Sequence, residues 1–243
     1  MPAMLTATLC AIHSPHRLPM TQTAPLILLG GSFDPIHQGH LWMAYEAYRQ
    51  CLACQINPEI RFLPTARSPF KQTQTSAKHR LAMLKAALRD TPFSIDKTEI
   101  FIDPPTYTLD TLSKIRAKIG TSRPLIFVMG QDSLESLPRW KGGYDLLALT
   151  HLWVFPRLNP EQQATALTLT AELSRVQADS LLGLTQNPSG LIYLDPHLPP
   201  AISSSHTRQH LATTELFKNS LPKRVIKYNK RTKLYGFTSP YES

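Results

Sequence analysis

Apolar residues along this chain fall into blocks of two kinds. Short continuous runs occur at Leu26-Ile27-Leu28-Leu29, Leu125-Ile126-Phe127-Val128-Met129, Leu152-Trp153-Val154-Phe155 and Leu191-Ile192-Tyr193-Leu194, with a weaker one at Ile60-Arg61-Phe62-Leu63. A run of four or five such residues, closed by glycine or polar residues, is what a strand buried on both faces requires. Between the runs the apolar positions recur at helical spacing: Leu41, Tyr45, Tyr48 and Leu52; Leu81, Leu84 and Leu88; Leu109, Leu112, Ile115 and Ile119. A further helix is predicted over roughly 161–182, and Thr106 or Thr108 is placed to cap the one that begins near Leu109. Strands alternating with helices predict an α/β fold, a doubly wound and mostly parallel sheet with helices on both faces. Ligands of such sheets bind outside the carboxyl ends of the strands. Residues 1–24 are rich in Thr, Pro and His and show no periodicity, so they are expected to form a poorly ordered extension, with one domain over 25–243.

Composition narrows the function classes. No apolar run approaches the roughly 18 to 20 residues of a membrane-spanning helix. The stretch 4–12 is apolar but lacks a positive flank and a good cleavage site, which argues against a signal peptide and makes the cytoplasm the expected compartment. Lys and Arg number 26 against 17 Asp and Glu, a formal net charge of +9, and seven of the basic residues fall between Lys218 and Lys233. That excess fits nucleic acid, whose phosphates are neutralised with counterion release. It fits equally an enzyme whose own substrates are polyanions. Charge alone leaves both readings open. The three cysteines are Cys10, Cys51 and Cys54. Cys51-Leu52-Ala53-Cys54 is a CxxC without the further ligands of a zinc site. It also stands near the end of a predicted helix, where the dipole disfavours a thiolate. The pair reads as two ordinary thiols.

Candidate chemistry begins directly after the first strand, at Gly30-Gly31-Ser32-Phe33-Asp34-Pro35-Ile36-His37-Gln38-Gly39-His40. Two glycines let the backbone approach a ligand without Cβ interference. The helix start that follows offers free N–H groups and a positive dipole end, which suit phosphate. His37 and His40, three apart, can face the same anion. A lone histidine is more often a satisfied core or surface residue; a pair after a glycine pair and an Asp-Pro turn is harder to explain that way. A metal site is the weaker reading, because no third ligand is evident. A second segment, Ile202-Ser203-Ser204-Ser205-His206-Thr207-Arg208, offers hydroxyls and a guanidinium with forked donors for phosphate oxygens.

The first segment resembles the H-x-G-H signature of the nucleotidylyltransferase superfamily, and a related H-I-G-H element of class I aminoacyl-tRNA synthetases. The second is similar to that superfamily's I-S-S-T-x-I-R element, with Ser205 in place of Thr and Thr207 in place of Ile, so both hydroxyls are candidate phosphate partners. The resemblance narrows to the bacterial nicotinate-nucleotide adenylyltransferase family. Pro69-Phe70-Lys71 resembles its P-x-K loop, Arg80-Leu81-Ala82-Met83-Leu84 its R-L-x-M-L helix and Tyr107-Thr108-Leu109-Asp110-Thr111-Leu112 its Y-T-x-x-T-L. Gly130-Gln131-Asp132-Ser133-Leu134 with Trp140 resembles its G-x-D-S-L…W. Pro222, Val225, Tyr228, Asn229, Leu234 and Tyr235 fit its closing pattern. Where that family has R-P-G after the third apolar strand, this chain has Phe155-Pro156-Arg157-Leu158, and Arg157 is a candidate for a shifted equivalent.

The resemblance implies a Rossmann-like nucleotidylyltransferase fold and transfer of AMP from ATP to nicotinate mononucleotide, releasing pyrophosphate. It implies catalytic roles for His37, His40 and Arg208. ATP is then expected at Gly30, Gly31, Ser32, Phe33, His37, His40, Gly130, Asp132, Ser204, Ser205 and Arg208. Nicotinate mononucleotide is expected at Lys71, Thr108, Leu109, Trp140 and Lys141. Trp140 would stack on the pyridine ring, with the main-chain N–H groups of Leu109 and Lys141 on its carboxylate. Lys71 and Arg80 are cationic candidates for substrate phosphates, or else solvated surface charges. Mg2+ is expected to arrive with ATP, with no metal site of the protein's own and no nucleic-acid or membrane partner. The competitors are a related transferase for nicotinamide mononucleotide, pantetheine phosphate or glycerol phosphate, a tRNA synthetase, and a non-catalytic basic RNA-binding module. The Tyr107 and Trp140 segments oppose the first. The chain's length leaves no room for a synthetase's anticodon-reading domain, and the third leaves the histidine motif unexplained.

Overall fold

The computed structural model describes residues 24–66, 75–103, 105–157, 169–210 and 219–237. The predicted extension over 1–24 therefore lies, but for Ala24, outside the described residues, as do Lys71 and its P-x-K loop. Six strands form one sheet in the order β3-β2-β1-β4-β5-β6, every pairing parallel. The strands are β1 (Leu26–Gly31), β2 (Glu59–Pro64), β3 (Ser94–Ile95), β4 (Leu125–Gly130), β5 (His151–Phe155) and β6 (Ile192–Leu194). The helices are α1 (Gln38–Ala53), α2 (Ala77–Ala87), α3 (Thr108–Ile119), α4 (Gln131–Ser136), α5 (Ala171–Ser174), α6 (Leu181–Gln186), α7 (Ser204–His210) and, after residues 211–218, α8 (Lys223–Thr232).

The apolar runs build two cores because successive strand residues face opposite sides of a sheet. Leu26 and Leu28 of β1 join Leu125, Phe127 and Met129 of β4 and Leu112 and Ile115 of α3 on one face. Ile27 and Leu29 join Ile126, Val128, Trp153 and Phe155 with Leu41, Ala44 and Ala47 of α1 and Met83 and Leu84 of α2 on the other. Both faces are thus covered, which is why these strands read as unbroken apolar runs. The one polar group inside β5's run, the indole of Trp153, donates to the buried carboxylate of Asp195 at 2.8 Å.

Strand order reverses at β1: β2 and β3 lie to one side, β4 to β6 to the other. In doubly wound sheets such a reversal is where a crevice forms and ligands bind, which here falls at the carboxyl ends of β1 and β4. Gly30 and Gly31 end β1, and Gly130 ends β4.

Three expectations are corrected. β3 was not predicted, being two residues long with no apolar run of its own. The helix predicted over 161–182 is not continuous in its described part: α5 ends at Ser174 and α6 starts at Leu181. Between them the chain turns at 175–176 and makes a single parallel bridge to β6 at Gln177, Ile192 donating to Val176 and Ala178 to Ile192 at 2.8 and 2.7 Å. Neither Thr106 nor Thr108 caps α3; its cap residue is Tyr107 without a side-chain bond. The Thr106 hydroxyl instead donates to the buried carboxylate of Glu99 at 2.7 Å.

The glycine at the end of β1 is fixed by packing. A Cβ at Gly30 would stand 2.3 Å from Cζ of Phe127, whose ring is buried in the core between β1 and β4. Gly30→Ala should therefore destabilise by about 1–3 kcal/mol, lowering Tm by several degrees. Adding Phe127→Leu should recover part of that loss. A Gly30→Ala protein melting with the wild type would contradict this packing account.

Candidate functional site

The chain leaves β1 at Gly31 and turns back on itself before α1. Phe33 sits in the left-handed region at φ 48° with its ring fully buried, edge-on to His40 at 5.0 Å and tilted against Phe62 at 5.4 Å. A Cβ at Gly31 would press on that ring at 3.1 Å. Both glycines of this turn thus make room for aromatic rings of the protein itself, a packing reason for glycine that stands beside the expected approach of their main chain to a ligand.

His37 is the cap residue of α1, and its N–H donates to Nδ1 of His40 at 3.2 Å. The two imidazoles stack with centroids 3.6 Å apart. They differ in access: His40 is half-buried, whereas His37 is only 5% exposed and its Nδ1 has no partner. Burial first, and the positive charge of Arg157 second, bring the His37 pKa down to about 3, so that its ring is neutral at physiological pH. The first turn of α1 contains no acidic residue to offset the dipole. One of its N–H groups, that of Gln38, is taken by the Ser220 carbonyl at 2.8 Å.

The serine segment reaches the same turn from far along the chain. Ser204 Oγ donates to the Pro35 carbonyl at 3.3 Å, and Arg208 donates to the Asp34 carbonyl at 2.6 Å and to Ser205 Oγ at 3.1 Å. Ser205 is exposed, while Thr207 is fully buried, its hydroxyl turned into the protein. This corrects the expectation that Thr207 offers a second hydroxyl for phosphate. The two motifs therefore meet at Asp34 and Pro35.

Beneath them lies a polar layer that sequence reading missed. Asp34 is fully buried, accepting from the Tyr235 hydroxyl at 2.6 Å and the Thr75 N–H at 3.3 Å. Arg80, 1% exposed, donates to four main-chain carbonyls: Ser32 at 2.8 Å, Thr65 at 2.6 Å, Ala66 at 2.7 Å and Thr75 at 3.2 Å. It is neither a phosphate ligand nor a surface charge. It ties the loop after β1 to the end of β2, and burial pulls its pKa down. A charge with that many carbonyl partners satisfies the requirement that buried ions be compensated.

A second cluster forms beside the crevice. Lys141 Nζ lies 2.9 Å from both carboxylate oxygens of Asp110 and 5.1 Å from the centre of the Tyr107 ring. Gly142 turns left-handed at φ 78°, and a Cβ there would stand 2.8 Å from the Leu109 side chain. Thr108 and Leu109 open α3, where the first N–H groups have no intrahelical acceptor. Trp140 is half-buried next to them, its indole donating to Ser136 Oγ at 3.1 Å. The structure thus gathers Thr108, Leu109, Trp140 and Lys141 at one place. At the end of β4, Gly130 has open space around it, and Asp132 is ion-paired with Arg157. Lys71 cannot be placed relative to either cluster. The CxxC contributes nothing here: Cys51 is buried on α1, and burial raises its pKa to about 12.

The buried neutral ring of His37 has a consequence for stability. Its folded pKa lies below the unfolded value of 6.5, so the folded state takes up fewer protons than the unfolded chain as pH falls. The contribution is complete above about pH 6.5 and is lost toward pH 3, at up to about 1.4 kcal/mol per pH unit. Urea unfolding of His37→Gln at pH 7, 5.5 and 4.5 should give a shallower decline than the wild type. Parallel declines in the two proteins would mean that His37 is not held neutral by burial.

The chain matches the cytidylyltransferase-like family over residues 28–210. It is 35% identical to a probable nicotinate-nucleotide adenylyltransferase of Hahella chejuensis, covering 89% of this chain and 98% of that one. It is 39% identical to a protein of the same name from Aeromonas salmonicida, covering 87% and 97%. Among solved structures, the Plasmodium falciparum nicotinic acid mononucleotide adenylyltransferase complexed with NaAD superposes with a TM-score of 0.67 over 89% of this chain and 99% of that one. At 18% identity that likeness speaks to the fold. The match along nearly the full length of its relatives carries the assignment: the chain belongs to the cytidylyltransferase-like family and, within it, to the nicotinate-nucleotide adenylyltransferases.

Proposed function

We propose that the protein transfers AMP from ATP to nicotinate mononucleotide, forming nicotinate adenine dinucleotide and pyrophosphate, with both steps of recognition made at the crevice between β1 and β4. The observation that supports this reading is that the segments of His40 and Arg208 come together at the Asp34-Pro35 turn after β1, while the Trp140 cluster follows β4, the neighbour of β1 in the sheet. The attacking group is the 5′-phosphate of the mononucleotide. A phosphate monoester is largely dianionic at neutral pH, its second pKa being about 6, so it needs no general base. One of its oxygens forms a bond to the α-phosphorus of ATP while the bond from that phosphorus to the bridging oxygen breaks, and pyrophosphate leaves with the electron pair. The protein's work is to hold attacker and leaving group in line and to stabilise charge on the departing oxygens.

In this assignment His40 and the N–H groups at the start of α1 take the phosphates nearest the reaction. His37, neutral and almost covered, contributes a hydrogen bond and a platform for the His40 ring, but no charge. The positive charge comes from Arg208, with the hydroxyls of Ser204 and Ser205, on the β and γ phosphates. Gly130 and Asp132 adjoin the adenosine, which requires Asp132 to share or release Arg157. Among the described residues no group of three or more His, Cys, Asp or Glu could hold a metal ion. Magnesium enters in this reading as the ATP complex, held through the nucleotide's own phosphates.

The pyridine ring stacks on Trp140, and its carboxylate accepts from the main-chain N–H groups of Leu109 and Lys141. An amide in place of the carboxylate turns its own N–H donors toward those groups, leaving donors unpaired. That is the basis for preferring the acid over the amide, and a pyrophosphate-release assay with nicotinate and nicotinamide mononucleotides side by side tests it. Equal use of the two would overturn the placement of the carboxylate. His40→Ala should lower kcat by about 10²–10³-fold while lowering Tm by no more than several degrees, the loss of one helix-start contact. Near wild-type turnover in that variant would remove His40 from the reaction. Trp140→Ala should raise KM for the mononucleotide by about ten-fold or more and leave KM for ATP nearly unchanged. The reverse pattern would put the pyridine ring elsewhere.

A further inference from the structure

The C-terminal turn reaches the phosphate-binding loop through one hydroxyl. After α8 the chain passes through the left-handed region twice, at Lys233 with φ 53° and at Tyr235 with φ 55°, a conformation that residues other than glycine rarely adopt. The outcome is that the Tyr235 hydroxyl, 201 residues from Asp34 in sequence, donates to Asp34 Oδ1 at 2.6 Å. The same oxygen of Tyr235 accepts from Thr75 Oγ1 at 3.1 Å, and the Thr75 N–H reaches Asp34 Oδ2 at 3.3 Å. Burial and the neighbouring Asp34 push the Tyr235 phenol above its ordinary range, so it remains a donor across the working pH. The other face of Asp34 is its carbonyl, which accepts from Arg208 at 2.6 Å.

We propose that Tyr235 is a positioning residue for adenylyl transfer: by holding the Asp34 carboxylate it sets where the Asp34-Pro35 turn stands, and through that turn where Arg208 and the His37–His40 start of α1 stand. A side chain with this role touches no substrate. It acts because a small displacement of in-line groups costs far more in rate than in stability, of the order of a hundred-fold for about 1 Å. The hydroxyl is the active part; the Tyr235 ring packs on the core with Tyr228 and Ile226. A second residue belongs to the same device, since Thr75 donates to Tyr235 and fixes the direction in which its hydroxyl points.

The proposal rests on the assignment of His40 and Arg208 to the triphosphate, and the test separates the two. Pyrophosphate release and thermal melting are measured for the wild type, His40→Ala, Tyr235→Phe and Thr75→Val. Tyr235→Phe keeps the ring and removes the hydroxyl. Its kcat should fall about ten-fold or more at saturating substrates, its KM for ATP should rise, its KM for the mononucleotide should stay within about two-fold, and its Tm should change by only a few degrees. Thr75→Val, which leaves the Tyr235–Asp34 bond in place, should show the same pattern more weakly, and it carries the test if Tyr235→Phe does not fold. Lower Tm with wild-type kcat and KM in the folded variants would make Tyr235 a stabilising tether and overturn the proposal. If His40→Ala stays active, the assignment of the triphosphate fails first, whatever Tyr235→Phe does.

Discussion

Asp34 is where the site is held together. Its carbonyl accepts the guanidinium of Arg208, its carboxylate accepts Tyr235 and Thr75, and the chain on either side of it carries Phe33 into the core and His37 onto α1. A buried carboxylate is costly unless its oxygens are occupied, and a buried carbonyl likewise. Here the groups that meet that requirement come from Thr75 just ahead of α2, from α7 and from the C-terminal turn. Segments that are remote in sequence are thereby brought to one place by the polar bookkeeping of a single residue. Arg80 repeats the arrangement one layer down, with four carbonyls around one guanidinium. In the proposed site, these two buried residues tie together the segments that carry His40 and Arg208.

The distribution of charge explains how a site with a neutral histidine handles a polyanion. Desolvation holds His37 without a proton, so the imidazole pair contributes hydrogen bonds and shape. Fixed charge must come from residues that burial does not neutralise, and guanidinium is suited to that because its pKa is far above neutrality. Arg208 and Arg157 both stand at the crevice, each already engaged with protein oxygens. A guanidinium has five N–H donors, so in the proposed assignment Arg208 keeps the Asp34 carbonyl while turning its other donors to phosphate oxygens. This preorganisation is what electrostatic catalysis needs.

The sheet was legible in the sequence because a strand buried on both faces has to be apolar throughout, and β1, β4 and β5 are. β3 was not, since Ser94 and Ile95 pair with β2 through main-chain groups that carry no side-chain signal. In the described part of 161–182 the expected helix is broken for a related reason: Val176 continues the helical spacing of Leu169 and Leu173, but its carbonyl accepts from Ile192 of β6, and tertiary pairing overrides local preference. At the site, the motif residues His37, His40, Ser204 and Arg208 were visible, and the structure brings them to one turn. What the letters did not disclose is what each glycine and cation does. Gly30 reads the same whether it faces a ligand or Phe127, and Arg80 the same whether it meets phosphate or carbonyl. Those distinctions are burial, which no local pattern encodes. Tyr235, Thr75 and Glu99 were missed as partners because their bonds are long-range and their types ordinary.

The central claim is that His40 and Arg208, carried by segments far apart in sequence, act on one triphosphate. A double-mutant cycle on kcat/KM for ATP, with His40→Ala, Arg208→Ala and the pair, measures this directly. Groups acting on the same transition state are coupled, so the double variant should be much less impaired than the product of the two single losses, with a coupling of at least about 1 kcal/mol. Strictly multiplicative losses would mean that the two side chains work independently, and would contradict the account.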